Sequence, residues 1–228
     1  MMTKDRERSR KRELVDMPRP PLKRAAVDAN AISAAALGLF AERGYQGTTM
    51  DDIGAALGIR GPSLYKHVKS KQGLLVDIML ETMRTLIQDQ LAALVADGDL
   101  PTRLRRTVEA HVRYHAAHRE EAFVGNREIS SLEPVHRDHV LELRDTYELR
   151  LRRLIEEGVE TGVFEVSSAK LVSYAILEMG MGVAAWFNPT GEYTTDQVAY
   201  TYSEIALRML TSRAIADAPD RPNGRIDI

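Results

Sequence analysis

The 228-residue chain has no cysteine, one tryptophan and four phenylalanines. Without cysteine there is no disulfide framework, no thiolate metal site and no thiol nucleophile. Aromatics are 6% of the residues, and no apolar run approaches the ~18 that suggest a membrane span. The charged N-terminal stretch is not followed by an apolar segment of the secretory kind, so the expected location is cytoplasmic. The signatures of common enzymes are missing too. There is no nucleophile elbow, no phosphate-cradling glycine-rich loop and no H-E-x-x-H metal-plus-base motif. Carboxylates are scattered among basic neighbours, as on solvated helix faces, so an enzyme is not expected.

A net charge of −2 hides an uneven distribution. Residues 1–24 hold nine Lys/Arg against four Asp/Glu, residues 25–71 five against four, and residues 72–228 seventeen against twenty-five. The balances are therefore +5, +1 and −8. Such asymmetry suggests an N-terminal end that meets a polyanion and a body that stays away from it. Residues 1–24, with Pro18, Pro20 and Pro21, read as a disordered basic arm, and residues 217–228 as a frayed tail.

Between these ends the apolar spacing is helical nearly throughout and nowhere alternates as in a strand. About nine helices are predicted, in an all-α protein. The first spans 25–43 with Ile32, Ala36, Leu39 and Phe40 on one face, followed by 50–57, 62–68, 71–96, 100–118, 121–130, 134–161, 168–187 and 195–215. The expected domains are a small head, 25–71, and a larger body, 72–216.

Residues 44–71, GYQGTTMDDIGAALGIRGPSLYKHVKSK, are the most informative stretch. Thr49 is placed as an N-cap, with Asp52 three residues on as its capping-box partner. Ile53, Ala56 and Leu57 give the short helix an apolar face. Gly58 allows a tight turn with Ile59 plugging the core beneath it, and Pro62 suits a first helical turn. Leu64 and Val68 anchor the second helix, which leaves Arg60, Ser63, Lys66 and His67 outward. A short helix fixed by few apolar contacts and presenting donors is what major-groove recognition requires. The bare pattern also fits a helical hairpin with a solvated polar face.

The residues carry a resemblance. Phe40-x-x-x-Gly44-Tyr45-x-x-Thr48-Thr49, Ile53-Gly54-x-x-Leu57-Gly58-Ile59, Ser63-Leu64-Tyr65-x-His67 and Lys69-Ser70-Lys71-x-x-Leu74-Leu75 are similar in order and spacing to the tetracycline-repressor (TetR) family of bacterial regulators. The resemblance implies a dimeric, DNA-binding transcriptional repressor released from a pseudo-palindromic operator by a small lipophilic effector. Thr48 and Thr49 would contact the DNA backbone, and Arg60, Gly61, Pro62 and Ser63 would read base edges. Tyr65, His67 and Lys71 would meet phosphates, and Lys66 either. Val68, where the family usually has an aromatic, and Pro62, where a smaller residue is commoner, depart from its pattern.

The family places dimerisation and effector binding in the body. The expected lining of an effector pocket is Met79, Met83, Leu86, Tyr114, Leu143, Tyr147, Met179, Met181 and Trp186, although such residues at helical spacing are also ordinary core. Leu171–Phe187 reads as apolar almost all round, with Gly180 and Gly182 allowing close approach of a partner helix. The last two helices are therefore the expected homodimer interface, holding two recognition helices about one DNA turn apart. A second resemblance, carried by Asn126-Arg127-Glu128-x-x-x-Leu132-x-Pro134, Arg144-Asp145-x-Tyr147, Gly158-x-x-x-x-Gly162-x-Phe164 and Trp186-Phe187-Asn188-Pro189, is to members that regulate fatty-acid or steroid degradation and respond to acyl-coenzyme A thioesters. It implies an acyl chain among the apolar residues, with Arg127, or one of Arg103, Arg105 and Arg106, on the phosphates. His111, His115 and His118 fall on one helical face, and His136 and His139 lie three apart, but no carboxylates complete a metal site; partly exposed histidines and no metal are expected. A metal-responsive regulator and a DNA binder without effector are the alternatives.

Overall fold

In the computed structural model the described residues, 28–211, form ten α-helices and one 3₁₀ turn, with no strand among them. The helices are α1 (Ala29–Arg43), α2 (Met50–Ala56), α3 (Gly61–Leu64), α4 (Lys71–Val95), α5 (Leu100–Ala117), α6 (Arg119–Arg127), α7 (Pro134–Glu160), α8 (Ala169–Met181), α9 (Val183–Trp186) and α10 (Thr195–Thr211). The 3₁₀ turn, Ile129–Ser131, links α6 to α7. The basic arm and the C-terminal tail expected from the sequence lie outside the described residues.

Boundaries follow local chemistry. Asp28, Ser70, Asp99 and Ser168 each accept a hydrogen bond from a backbone N–H in the first turn of the helix they precede, which satisfies an otherwise orphaned donor. Pro101 and Pro134 occupy first-turn positions, where the missing N–H costs nothing. The expected eighth helix is divided at Gly182 into α8 and α9. The second short helix of the head is one α-turn, Gly61–Leu64, prolonged by bonds from His67 N and Val68 N to Leu64 O.

Two apolar cores organise the chain. The first joins Ile32, Ala36, Phe40, Ile53 and Leu64 of the head to Leu75, Met79 and Met83 of α4, and continues into Tyr114, Val124 and Tyr147. The second packs Leu104, Val108 and Val112 of α5 with Leu151 and Ile155 of α7, Ile176 of α8 and Leu210 of α10. Arg105 Nη2 donates to Glu204 at 2.7 Å and Arg113 Nε to Asp196 at 2.9 Å, tying α10 along α5. Because α4 is 25 residues long, ~37 Å at 1.5 Å per residue, it reaches from head to body.

Three packing expectations are corrected. Ala56 is exposed, and Gly54 takes the buried place beside Ile53 because α2 presents only one turn to the core. α8 is two-faced, not apolar all round: Ser173, Ile176 and Gly180 are buried, while Leu171 and Tyr174 are exposed. Gly180 does allow a close approach, but to α5 of the same chain, since a Cβ there would lie 2.4 Å from His111 Cδ2. Overpacking of this kind costs about 1–3 kcal/mol, so Gly180→Ala should lower Tm by roughly 3–10 °C in a thermal melt. Gly182→Ala, at an exposed position with helical dihedrals, should leave Tm unchanged or raise it. Equal melting of both variants would contradict the packing.

Candidate DNA interface and ligand cavity

The head is assembled by its own polar groups. Thr49 N donates to Asp52 Oδ2 at 2.8 Å and Asp52 N to Thr49 Oγ1 at 3.1 Å, which completes the expected capping box. The Thr49 hydroxyl, donating to Asp52 Oδ2 at 2.5 Å, and the Thr49 N–H hold the Asp52 carboxyl below its usual range. Gly58, at φ +67, turns the chain between α2 and α3 through the left-handed region that side chains avoid. Leu64 is fully buried, and Ile59 and Val68 pack beside it. Arg60, Pro62, Tyr65, Lys66 and His67 are consequently exposed and Ser63 partly so, along one side of α3 and its following turns. Tyr65, 57% exposed, is an aromatic with no core to serve.

Two residues expected at the DNA backbone hold other positions. Thr48 is fully buried, and its hydroxyl donates to Gly44 O at 2.9 Å, so its side chain is not available to a phosphate. Lys71 Nζ donates to Tyr45 O at 2.8 Å and Thr48 O at 2.7 Å and lies 4.2 Å above the Tyr45 ring. Two of its three donors are thereby committed to the loop between α1 and α2. Beside it the Gln72 amide, with its nitrogen toward Tyr45 Oη at 2.8 Å and Ser131 O at 3.3 Å, accepts from Glu133 N at 2.9 Å. One side chain thus bridges head and body.

Where the two cores meet there is a cavity of about 230 Å³ between α4, α5, α6, α7 and α8. Of the expected lining residues, Met83, Leu86, Tyr147 and Met181 are present. Met79 and Tyr114 belong to the packed core instead. Leu143 lines a separate groove against α4, Met179 is partly buried off the lining, and Trp186 is half exposed beside Tyr202. These corrections share one cause: helical spacing gives the face of a helix but not the depth along its neighbour.

The polar part of the wall was missed as a set. It comprises His111, His115, Glu121, Asn126, Arg144, Asp145, Glu148 and Glu178, with Tyr174 and Leu177 nearby. His111 and His115 are not partly exposed but buried. Burial depresses His111 to about 4. Burial, with His111 and His118 alongside, takes His115 to about 2, so both rings are neutral near pH 7. Among the described residues no group of three or more His, Asp or Glu could hold a metal ion. Burial draws the Arg144 guanidinium down while Glu178 pulls it back, and its Nη2 donates to Gly125 O at 2.9 Å. Continuous with the cavity through Ala122, Asn126, Glu178 and Met181 is an outer groove of about 490 Å³ between α6 and α8–α9. Phe123 and Arg127 lie in it, the guanidinium 5.5 Å from the Phe123 ring centre.

The end of α6 also touches the head. The Gly44 backbone is so close that a Cβ there would sit 3.1 Å from Arg127 Nη2 and 3.3 Å from Glu128 Oε1. Glu128 is buried, accepts from Ser131 Oγ at 2.8 Å and pairs with Arg127 at 3.5 Å.

The neutral histidines have a measurable consequence. The unfolded chain titrates near the ordinary 6.5, so below that pH it binds more protons than the folded one, and stability falls as pH drops. The slope is on the order of 1.4 kcal/mol per pH unit for each ring. Urea unfolding at pH 7, 6 and 5 should show it, and His115→Gln should flatten the dependence by about one proton. Equal slopes in the two proteins would mean that His115 is protonated in the folded state.

Comparisons with known proteins agree with this geometry. Residues 32–78 match the family model for bacterial regulatory proteins of the tetR family, and residues 97–210 that for the tetracyclin repressor-like C-terminal domain. The HTH-type transcriptional repressor KstR2 of Rhodococcus jostii is 32% identical over 180 residues, covering 76% of this chain and 86% of that protein. A crystal structure of a tetR-family bacterial regulatory protein from Rhodococcus RHA1 superposes with a TM-score of 0.76 at 34% identity, covering 83% of this chain and 100% of the other. AibR, solved in complex with isovaleryl coenzyme A and operator DNA, shares the fold at 23% identity and a TM-score of 0.69, over 79% of this chain and 96% of its own. The all-helical architecture, the helix-turn-helix head and these matches together place the chain in the tetR family, as a DNA-binding transcriptional repressor and not an enzyme.

Proposed function

We propose that this repressor binds a pseudo-palindromic operator as a homodimer and is released when an acyl-coenzyme A thioester, or a closely similar lipophilic ligand, enters the body. The observation that carries the reading is the double engagement of α6. Ala122, Gly125 and Asn126 line the cavity, while Arg127 and Glu128 at the end of the same helix abut Gly44 of the head. A ligand that moves α6 therefore acts on the head directly as well as through α4.

In this reading residues 25–71 are the DNA-binding domain and 72–216 the effector and dimerisation domain. Arg60, Gly61, Pro62 and Ser63 read base edges, and Tyr65, Lys66 and His67 meet the strand backbone; the exposure of Arg60, Pro62, Tyr65, Lys66 and His67 beside a buried Leu64 supports these roles. Thr49 is exposed, and its hydroxyl can meet a phosphate by turning its proton away from Asp52 Oδ2 while still accepting from Asp52 N. Lys71 has one donor left for a phosphate, secondary to its work in the loop.

The cavity is small against the ~300–1,000 Å³ of typical ligand sites. It suits the acyl end of a thioester, with the bulky nucleotide lying outside. The adjoining groove supplies that second compartment, and there Phe123 and Arg127 offer a stacking face and a guanidinium for phosphate. Arg103, Arg105 and Arg106 are less suited, because Arg103 and Arg105 pair with Glu157 and Glu204 and Arg106 bonds Asp97 O. AibR, solved with isovaleryl coenzyme A and operator DNA, supports the ligand class, and KstR2, a transcriptional repressor, supports the mode of action. Among the described residues no helix is long and apolar enough to cross a membrane, and cytoplasmic action follows from the DNA target.

Dimerisation is assigned to the last two long helices with α9. Leu171 and Tyr174 of α8, Trp186 of α9, and Tyr200 and Ile205 of α10 are all exposed, an apolar set that a two-fold partner would cover. Release by ~100-fold needs only ~2.7 kcal/mol of differential binding between two arrangements of the head.

Fluorescence anisotropy on the DNA upstream of the chain's own gene should show tight, salt-dependent binding that a member of an acyl-coenzyme A panel abolishes. Binding that no thioester disturbs would remove the effector class and leave the repressor. Lys66→Ala should weaken binding evenly across sequences and lower the salt slope by about 1. Replacing Tyr200 and Ile205 with Glu should give a folded monomer by light scattering and cost at least tenfold in operator affinity; a dimer of unchanged stability would move the interface elsewhere.

A further inference from the structure

Inside the cavity one buried polar ring has a nitrogen without a hydrogen-bond partner. His111 and His115 are one turn apart on α5, their rings edge to face at 4.5 Å, and both line the cavity. His111 is complete. Its Nε2 lies 3.0 Å from Leu177 O, and since a carbonyl only accepts, that nitrogen carries the proton. Nδ1 then accepts from the Tyr147 hydroxyl at 2.9 Å. His115 is different: the residue is 4% exposed, and its Nδ1 is sealed off without a hydrogen-bond partner. A neutral imidazole has one donor and one acceptor. Buried orphan N–H groups are rarer than orphan acceptors, which places the proton on Nε2, the nitrogen left to meet the cavity.

We propose that His115 is a specificity-determining residue that donates an Nε2–H bond to a neutral carbonyl oxygen of the ligand within the cavity. The inference deepens the effector reading and rests on this cavity being the effector site. Met83, Leu86 and Leu177 give the space around the ring an apolar character that suits a chain leading up to the carbonyl. A free carboxylate fits poorly, because Glu121, Asp145, Glu148 and Glu178 stand in the same wall against the one guanidinium of Arg144. A hydrocarbon lacking the carbonyl would leave Nε2–H unpaired as well as Nδ1, and that cost is the source of discrimination. The ring stays neutral throughout, so recognition is by a dipole and not by charge.

Two ligand pairs that differ only at the carbonyl test this by calorimetry: octanoyl-coenzyme A against its S-octyl thioether, and 2-decanone against decane. The wild-type protein should prefer the carbonyl member by roughly ten- to a hundredfold. His115→Phe should bring the two members of a pair within about twofold, and His115→Gln, whose amide keeps a donor near Nε2, should restore much of the preference. No preference in the wild type, or one that survives His115→Phe, overturns the assignment while leaving the thioester reading intact. Binding of the ketone pair alone, with a His115-dependent preference, keeps the assignment and rejects the thioester. Binding of neither pair rejects both. Should His115→Phe fail to fold, long-range ¹H–¹⁵N spectra of the histidine-labelled wild type decide, because an Nδ1–H tautomer for His115 contradicts the proposal.

Discussion

The Lys71 ammonium, held by two carbonyls of the loop between α1 and α2 and covered by the Tyr45 ring, fixes how the head stands on the body. A cation at the first position of a helix is disfavoured by the helix dipole, so this lysine is not there for the sake of α4. It is there because the loop turns two carbonyl groups toward it. With that anchor made, the first residue of α4 belongs to the head and its last turns to the body. Gln72 extends the joint to Ser131 and Glu133. Movement of α4 or α6 relative to one another must therefore reach the surface that Leu64 keeps facing outward.

The body separates two tasks that a single apolar core would blur. Packing is handled by the cluster centred on Val112, Leu151 and Ile176, with α10 strapped along α5 by Arg105–Glu204 and Arg113–Asp196. Sensing is left to the seam between that cluster and the one shared with the head, where polar side chains replace close-packed hydrocarbon. Several polar groups in the seam are held by a specific partner: Tyr147 on His111, Arg144 on Gly125 O, and Glu148 accepting from Ser173 Oγ and facing Arg152. A wall built this way is preorganised, which lowers the ordering cost of binding.

Much of the head was legible in the sequence because its signals are local. Thr49 with Asp52, Gly58 and Pro62 each act within four residues, and the capping box and turn stand where their spacing places them. Thr48 was misread for a physical reason: a hydroxyl in a polar loop gives no sign that it will fold inward onto Leu39 O and Gly44 O. In the body, period and composition foretold helices and an apolar interior, and Met83, Leu86, Tyr147 and Met181 were placed on the right faces. Which of those faces would open into a cavity depends on how α5 and α8 approach, and that is set by Gly180 meeting His111, a long-range contact with no local signature. The histidines were seen as a row but read as surface residues. A polar residue one helical turn from another on an otherwise apolar stripe was the available clue.

The two neutral rings have a consequence for the quality of the signal. A detector whose chamber titrated near neutrality would confuse a change in acidity with a change in ligand. Here the imidazoles keep one protonation pattern across the whole physiological range, since burial has moved their titration far below it. Their background is therefore constant, and an acid shock does not by itself rewrite the histidine hydrogen-bond pattern that a ligand is matched against.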